Sequence, residues 1–319
     1  MLQYFWTKLY SRWLREQLLR QAPPVSFRHG TGRNLILGIG RNYSIADLRP
    51  FVRSARRHHD CRILMVINND SGLGKALDAE GVDYLLDDGW SGLGQPHMNF
   101  ARVADYIAVL QGLGNQVERV FLADTRDVVF QRDIFQSQPD APVIFFEESQ
   151  GFSLDVAGWN GNAVRRTFGS EIYGRIKHHE VICSGTVLCR YDDAIMYCWQ
   201  KLLLAQMVGR RHHMRPGLDQ ATTNVVARLN LVPGSLVQPY DGVVATLSGP
   251  NNKFVTISKT DQVLVTTTGN VPAAVHQYDR VPEIRDFVYA AYDGPKGVRA
   301  GDKSKRRTFG KQLREIFGL

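Results

Sequence analysis

Between residues 35 and 123, short apolar runs alternate with segments of helical periodicity, and this alternation leaves few architectures open. Residues 35–39, 62–67, 83–86 and 117–123 read as strands. Residues 45–58, with Leu48, Phe51, Val52 and Ala55 at helical spacing, read as a helix, as do 73–79 and 100–110. Strands that alternate with helices predict a Rossmann-like, mostly parallel sheet flanked by helices. After Asp140 the pattern loosens. Residues 143–146 and 181–189 read as further strands, and 195–207 and 220–228 as helices; 230–280 is β-rich with Gly, Pro and Asn turns. No internal repeat is visible.

Charge divides the chain differently. The net charge of +8 sits at the two ends. Lys8, Arg12, Arg15 and Arg20 face only Glu16 in the first segment. Lys296, Arg299, Lys303, Lys305, Arg306, Arg307, Lys311 and Arg314 dominate the last. The body between them is close to neutral, which argues against nucleic acid as a partner, since such binders carry basic charge on the folded body. The reading is therefore an amphipathic N-terminal helix and linker (1–30), a near-neutral body (31–290, with a regular half at 31–140 and a looser half at 141–290) and a basic tail (291–319).

In the first helix Leu2, Phe5, Trp6, Leu9, Trp13 and Leu14 fall near one face. Lys8 and Arg12 interrupt the apolar run, so it reads as neither a signal peptide nor a span. Such a face suits an anionic membrane surface or packing on the protein's own body. Cys61, Cys183, Cys189 and Cys198 form no CxxC pair and read as buried thiols of a reducing compartment. The expected location is cytoplasmic, with peripheral attachment to the inner face of a membrane through the basic ends.

In a parallel sheet, ligands bind beyond the carboxyl ends of the strands. Three polar stretches follow strands directly: 40–43, 68–70 and 124–127. The strongest is VFLADTRDVVFQRDIF at 120–135, an apolar run that enters Asp124-Thr-Arg-Asp127. Two carboxylates at a rigid strand end suit Mg2+ or Mn2+, which also bridge phosphates. A surface turn in which Asp127 caps the next segment is the plain alternative. The late run AAVHQYDRVPEI at 273–284 places His276 after another apolar strand, where an imidazole is a ligand or a packed residue. In RPGLDQATTNVV, 215–226, Asp219 reads as the cap of a helix.

These motifs and their order resemble metal-dependent glycosyltransferases of the GT-A type, over residues 33–285. The 120–135 run is similar to the family's Asp-x-Asp motif, here spaced Asp-x-x-Asp. HQYDR is similar to the ending of a bacterial and plant group. The resemblance implies the GT-A fold and Asp124, Asp127 and His276 as ligands of Mn2+ or Mg2+, with Asp124 as ligand or ribose contact. It implies a nucleotide-sugar donor, UDP-sugar favoured, held by Asn42, Tyr43, Arg102, Arg126 and Lys253. Ser184 and Gly185, in EVICSGTVLCR, lie against the donor sugar, with Cys183 where the family often has Asn. Asp219 and Gln220 resemble the pair beside the anomeric carbon, and Glu147, Glu148 and Asp219 are each able to serve as base. The implied acceptor is a glycan or lipid-linked hydroxyl, as in polysaccharide biosynthesis, with a lean towards retention. The competing functions are nucleotidyl transfer, for which GIGRN at 38–42 is a poor Gly-rich loop, and a non-catalytic module that binds membrane or nucleic acid through the basic ends.

Overall fold

The computed structural model describes residues 2–87, 96–149, 151–208, 213, 215–248 and 252–296, with the backbone alone for 2–7. The basic tail beyond Lys296 lies outside the described residues. The first strands and helices form as their periodicity predicts. They are β1 (Asn34–Ile39), α2 (Ile45–His58), β2 (Arg62–Ile67), α3 (Ser71–Ala79), β3 (Asp83–Leu86), α4 (Met98–Leu113) and β4 (Arg119–Asp124), preceded by α1 (Leu2–Leu18). Ser44 caps α2 by accepting from Asp47 N–H, and the Asp47 side chain accepts from Ser44 N–H.

A short β5 (Val128–Phe130) follows. Then come β6 (Val143–Glu147), α5 (Gly158–Ile176), β7 (Ile182–Arg190), α6 (Tyr191–Gln206) and α7 (Gly217–Arg228). The chain closes through β8 (Leu236–Gln238), β9 (Val244–Thr246), β10 (Val255–Ile257), β11 (Leu264–Thr266), β12 (Ala274–His276) and α8 (Pro282–Tyr292).

The central sheet has seven strands in the order β3-β2-β1-β4-β7-β6-β8. It is mostly parallel, with β7 antiparallel to both β4 and β6. Alternate residues of its strands feed two cores. Leu35, Leu37 and Leu122 pack with α4 and α6 on one face, and Ile36, Phe121 and Phe146 pack with α2 and α3 on the other. A smaller sheet, β5-β12-β9, sits at the carboxyl edge. Helix α5 is absent from the sequence expectation. It kinks at Gly169, whose φ is +87°, and its buried positions include Gly161 and Ala163, so no large apolar stripe marks it.

Helix α1 uses its described apolar face on the protein itself. Tyr10, Trp13 and Leu14 are buried. The Tyr10 hydroxyl donates to the Leu202 carbonyl at 2.9 Å, its ring stacks on His213 at 4.2 Å, and Gln206 Nε2 donates to Ser11 Oγ at 2.8 Å. For Trp13 and Leu14 the packed reading therefore replaces the lipid-facing one, while Lys8, Arg12 and Arg15 are exposed. No helix of the described residues is long and apolar enough to cross a membrane. All four cysteines are buried and unbridged.

One buried imidazole couples the fold to pH. His59 follows α2; its Nδ1 lies 2.9 Å from the Ala55 carbonyl, and its Nε2 accepts from Ile134 N–H at 2.9 Å. Both contacts are met by the neutral ring with Nδ1–H donating. Burial lowers its pKa, with Ala55 and Asp133 opposing. The unfolded chain then binds a proton at His59 that the folded chain refuses. This stability is present above the unfolded value of about 6.5 and is lost as pH falls below it, by up to ~1.4 kcal/mol per pH unit. Urea unfolding at pH 7.5 and 5.5 is expected to show a steeper fall for the wild type than for His59→Gln.

Candidate functional site

Strand register builds the site. Asp124 ends β4, opposite Ile39 at the end of β1. The next residues turn into β5, and β12 pairs with β5 so that His276 stands opposite Val128, the neighbour of Asp127. Gln277 then takes a left-handed conformation, φ +60°, and donates its backbone N–H to the Asp127 carbonyl at 2.6 Å. Two segments distant in sequence are thus locked together by their main chains.

The result is a cluster of Asp124, Asp127 and His276 whose ligand atoms lie within 4.8 Å of one another. His276 Nε2 is 3.5 Å from Asp124 Oδ2 and 3.7 Å from Asp127 Oδ1. It is buried and has no hydrogen-bond partner, while Nδ1 meets the Cys183 sulfur at 3.1 Å. The thiol thus fixes the ring and leaves Nε2 aimed between two carboxylates. A divalent cation fits this set. Carboxylate oxygens with one imidazole suit Mn2+ better than Mg2+, which prefers oxygen alone.

Electrostatics sharpen the contrast between the two aspartates. Burial opposes the Asp124 charge, but Arg102 and His276 outweigh it and hold the pKa low. Asp127 is raised by burial, with His276 opposing.

The cluster floors a cleft of about 700 Å3 that also takes in Tyr43, Arg126, Glu148, Ser184, Gln220 and Arg280. Of the HQYDR string, Gln277 and Arg280 line the cleft, while Tyr278 and Asp279 hold Arg126 from behind it. Tyr278 OH donates to the Arg126 carbonyl at 3.1 Å, Asp279 pairs with the Arg126 guanidinium at 3.0 Å, and Arg280 lines the cleft.

Several expectations change. Arg102 lines the cleft, but its guanidinium is held between Asp124 and Asp219, with Asp219 Oδ2 at 2.8 Å. Burial works against its charge, yet the two carboxylates keep it well protonated. It tethers acids instead of reaching out for a phosphate.

Asp219 does not cap α7. Pro216 holds the cap position without a side-chain bond, and Asp219 is in the first turn, buried against Lys201 and Arg102. Gly185 makes room for ligands: a Cβ there would stand 2.6 Å from Asp124 Oδ2 and 2.8 Å from His276 Nε2.

Glu147 leaves the site altogether, paired with Arg228 at 2.8 Å. Its neighbour Glu148 takes the cleft, because a register shift after Phe145 breaks the alternation of β6. Glu148 accepts from Gln220 Nε2 at 2.8 Å and from Ser248 Oγ at 3.0 Å, and Gln220 accepts from Ser184 Oγ at 2.7 Å. Burial raises the Glu148 pKa against those hydrogen bonds. Asn42 and Lys253 are exposed and lie outside the cleft lining, and the Asn42 N–H is bound to Asn68 Oδ1.

Lys201 is the residue that sequence reasoning missed. The available signal was a lone lysine on the apolar face shared by Tyr197, Cys198, Leu202 and Ala205, which demands a buried partner.

No model of a known protein family matches the chain, and no curated protein matches it in sequence.

Proposed function

We propose that the chain is a metal-dependent glycosyltransferase of the GT-A type. It moves a sugar from a nucleotide diphosphate sugar, UDP-sugar favoured, to a hydroxyl of a glycan or lipid-linked acceptor. The observation that carries this reading is the meeting of Asp124, Asp127 and His276 at the carboxyl edge of the sheet, where the two aspartates line a cleft with basic side chains and His276 is buried behind them. A carboxylate–imidazole set beside arginines suits a diphosphate that leaves with negative charge.

Asp124, Asp127 and His276 would hold Mn2+ or Mg2+, which when bound supplies charge neutralisation to the leaving diphosphate. Arg126 and Arg280 line the same cleft and add fixed positive charge. Ser184 and Gln220 form the hydrogen-bonded floor that positions the sugar. Asp219 is committed to Lys201 and Arg102. Glu148 is then the carboxylate assigned to accept the proton of the attacking hydroxyl; its raised pKa makes it a better base. A carboxylate free to act as base would suit inversion, whereas the resemblance leans towards retention.

The test is a thermal-shift and calorimetric titration of UDP-sugars with and without Mn2+. The wild type is expected to take up the nucleotide sugar only with the metal. Asp127→Ala and His276→Ala are expected to lose at least about 100-fold in that affinity, because several kcal/mol of charge stabilisation leave with the ion. Metal-independent uptake, or unchanged uptake in both variants, overturns the site. Release of pyrophosphate from a nucleoside triphosphate, in place of UDP from a UDP-sugar, would instead identify a nucleotidyltransferase.

A further inference from the structure

A second, smaller concavity opens beside the cleft. It measures about 100 Å3 and is lined by Trp159, Arg166, Thr167, Arg215, Pro216 and Gly217 among others. Trp159 and Pro216 also line the main cleft, so the two adjoin. The smaller space is therefore the natural place for whatever meets the donor sugar.

Its chemistry is specific. Trp159 is 56% exposed, unusual for so large an apolar ring. It stands at the start of α5, and Ala163, Arg166 and Thr167 follow at helical spacing on the same side. Gly217 of α7 lies close against this side of α5: a Cβ there would stand a tight 3.2 Å from Ala163 Cβ and in ordinary contact, 3.5 Å, with the indole Cζ2 and Cη2. The ring is thus backed by a helix while half of it faces solvent.

The two arginines are the second observation. Among the described residues neither Arg166 nor Arg215 pairs with a carboxylate. Arg166 Nε donates to the Asn162 carbonyl at 3.1 Å. Arg20, Arg28, Arg41, Arg53, Arg102, Arg126 and Arg228, by contrast, each hold an acid. Two guanidinium groups that share a small concavity repel until an anion joins them. A planar fork matches a carboxylate or phosphate in two hydrogen bonds, and an aromatic face suits the apolar face of a pyranose ring.

Resting on the transferase reading above, we propose that this concavity is the acceptor subsite. It takes an anionic saccharide: one ring stacks on Trp159, and its carboxylate or phosphate lies between Arg166 and Arg215. Sugar uronates and sugar phosphates share this chemistry.

The experiment uses the full chain and three probes: methyl glucuronide, methyl glucoside 6-phosphate and neutral methyl glucoside. Ligand-detected NMR measures the affinity of each with UDP and Mn2+ present. At least one anionic probe is expected to bind about tenfold or more tightly than the neutral one, and the preferred probe tells carboxylate from phosphate. The Arg166→Gln/Arg215→Gln double variant is expected to lose that preference; both arginines are exposed, so its Tm should match the wild type. Trp159→Ala is expected to weaken all three probes. Equal binding of charged and neutral probes, no binding of any probe, or a preference kept by the double variant overturns the subsite. Uptake of UDP with Mn2+ is measured alone first. Its failure counts against the transferase reading, whereas the probe series, repeated without nucleotide, still decides the subsite.

Discussion

Gly185→Ala is expected to abolish cation uptake at the proposed metal centre while leaving the sheet in place. The added methyl would sit 2.6 Å from both Asp124 Oδ2 and His276 Cε1, inside any real contact distance. Neither neighbour yields easily. Asp124 is tied to Arg102, and the His276 ring is held by Cys183 on its far nitrogen and by β12 through its backbone. Something must shift, and the shift lands on two of the three ligands. Overpacking of this kind costs about 1–3 kcal/mol. Displaced orienting contacts lower metal affinity by roughly 10–100-fold. A Mn2+ titration alongside urea unfolding separates the two effects. If Gly185→Ala binds Mn2+ as the wild type does, Asp124 and His276 do not hold the ion together.

The largest loss of stability is expected at Asp219. Its carboxylate joins Lys201, whose side chain is 3% exposed, to Arg102, which in turn joins Asp124. Truncation to alanine strands a buried ammonium with only the Tyr197 and Thr223 hydroxyls for company. Breaking a buried pair from one side costs about 3–5 kcal/mol, because the remaining charge is left uncompensated. Asp219→Ala is therefore expected to lower the urea midpoint sharply. Adding Lys201→Met to that variant should recover a large part of the loss, since the stranded charge goes with it. A loss below about 1 kcal/mol for the single variant would mean that the row of charges does not carry the packing of α4, α6 and α7.

The sequence made some of this legible for clear physical reasons. Strands β1, β2 and β3 and helix α2 announce themselves because burial on both faces or on one stripe leaves an apolar period. Asp124 and His276 stand out because each ends an apolar strand, and Asp127 because it follows Asp124 by three residues. The direction of β7 is different. The apolar run ICSGTVLC reads alike in either orientation, and only the connection through α5 decides it. That connection is hidden because its buried positions include small residues. Glu147 and Glu148 are adjacent, and strand alternation alone picks the wrong one; the register shift in β6 is a tertiary event. Asp219 follows a Pro-Gly pair that looks like a helix stop before a cap. The helix instead begins at Gly217, which moves the carboxylate a turn inward to Lys201.

The pairing of β12 with β5 also sets an order of events. Asp124 and Asp127 leave the ribosome long before His276 does. The third proposed ligand arrives only when β12 has found β5 and β9, and the β12–β5 contact is one of high sequence separation. Until β12 docks, that edge carries two acids and an arginine clasping one of them. Arg102 keeps Asp124 neutralised in the meantime, so the half-built edge need not wait for an ion. The proposed cation set is therefore complete only once β12 has docked.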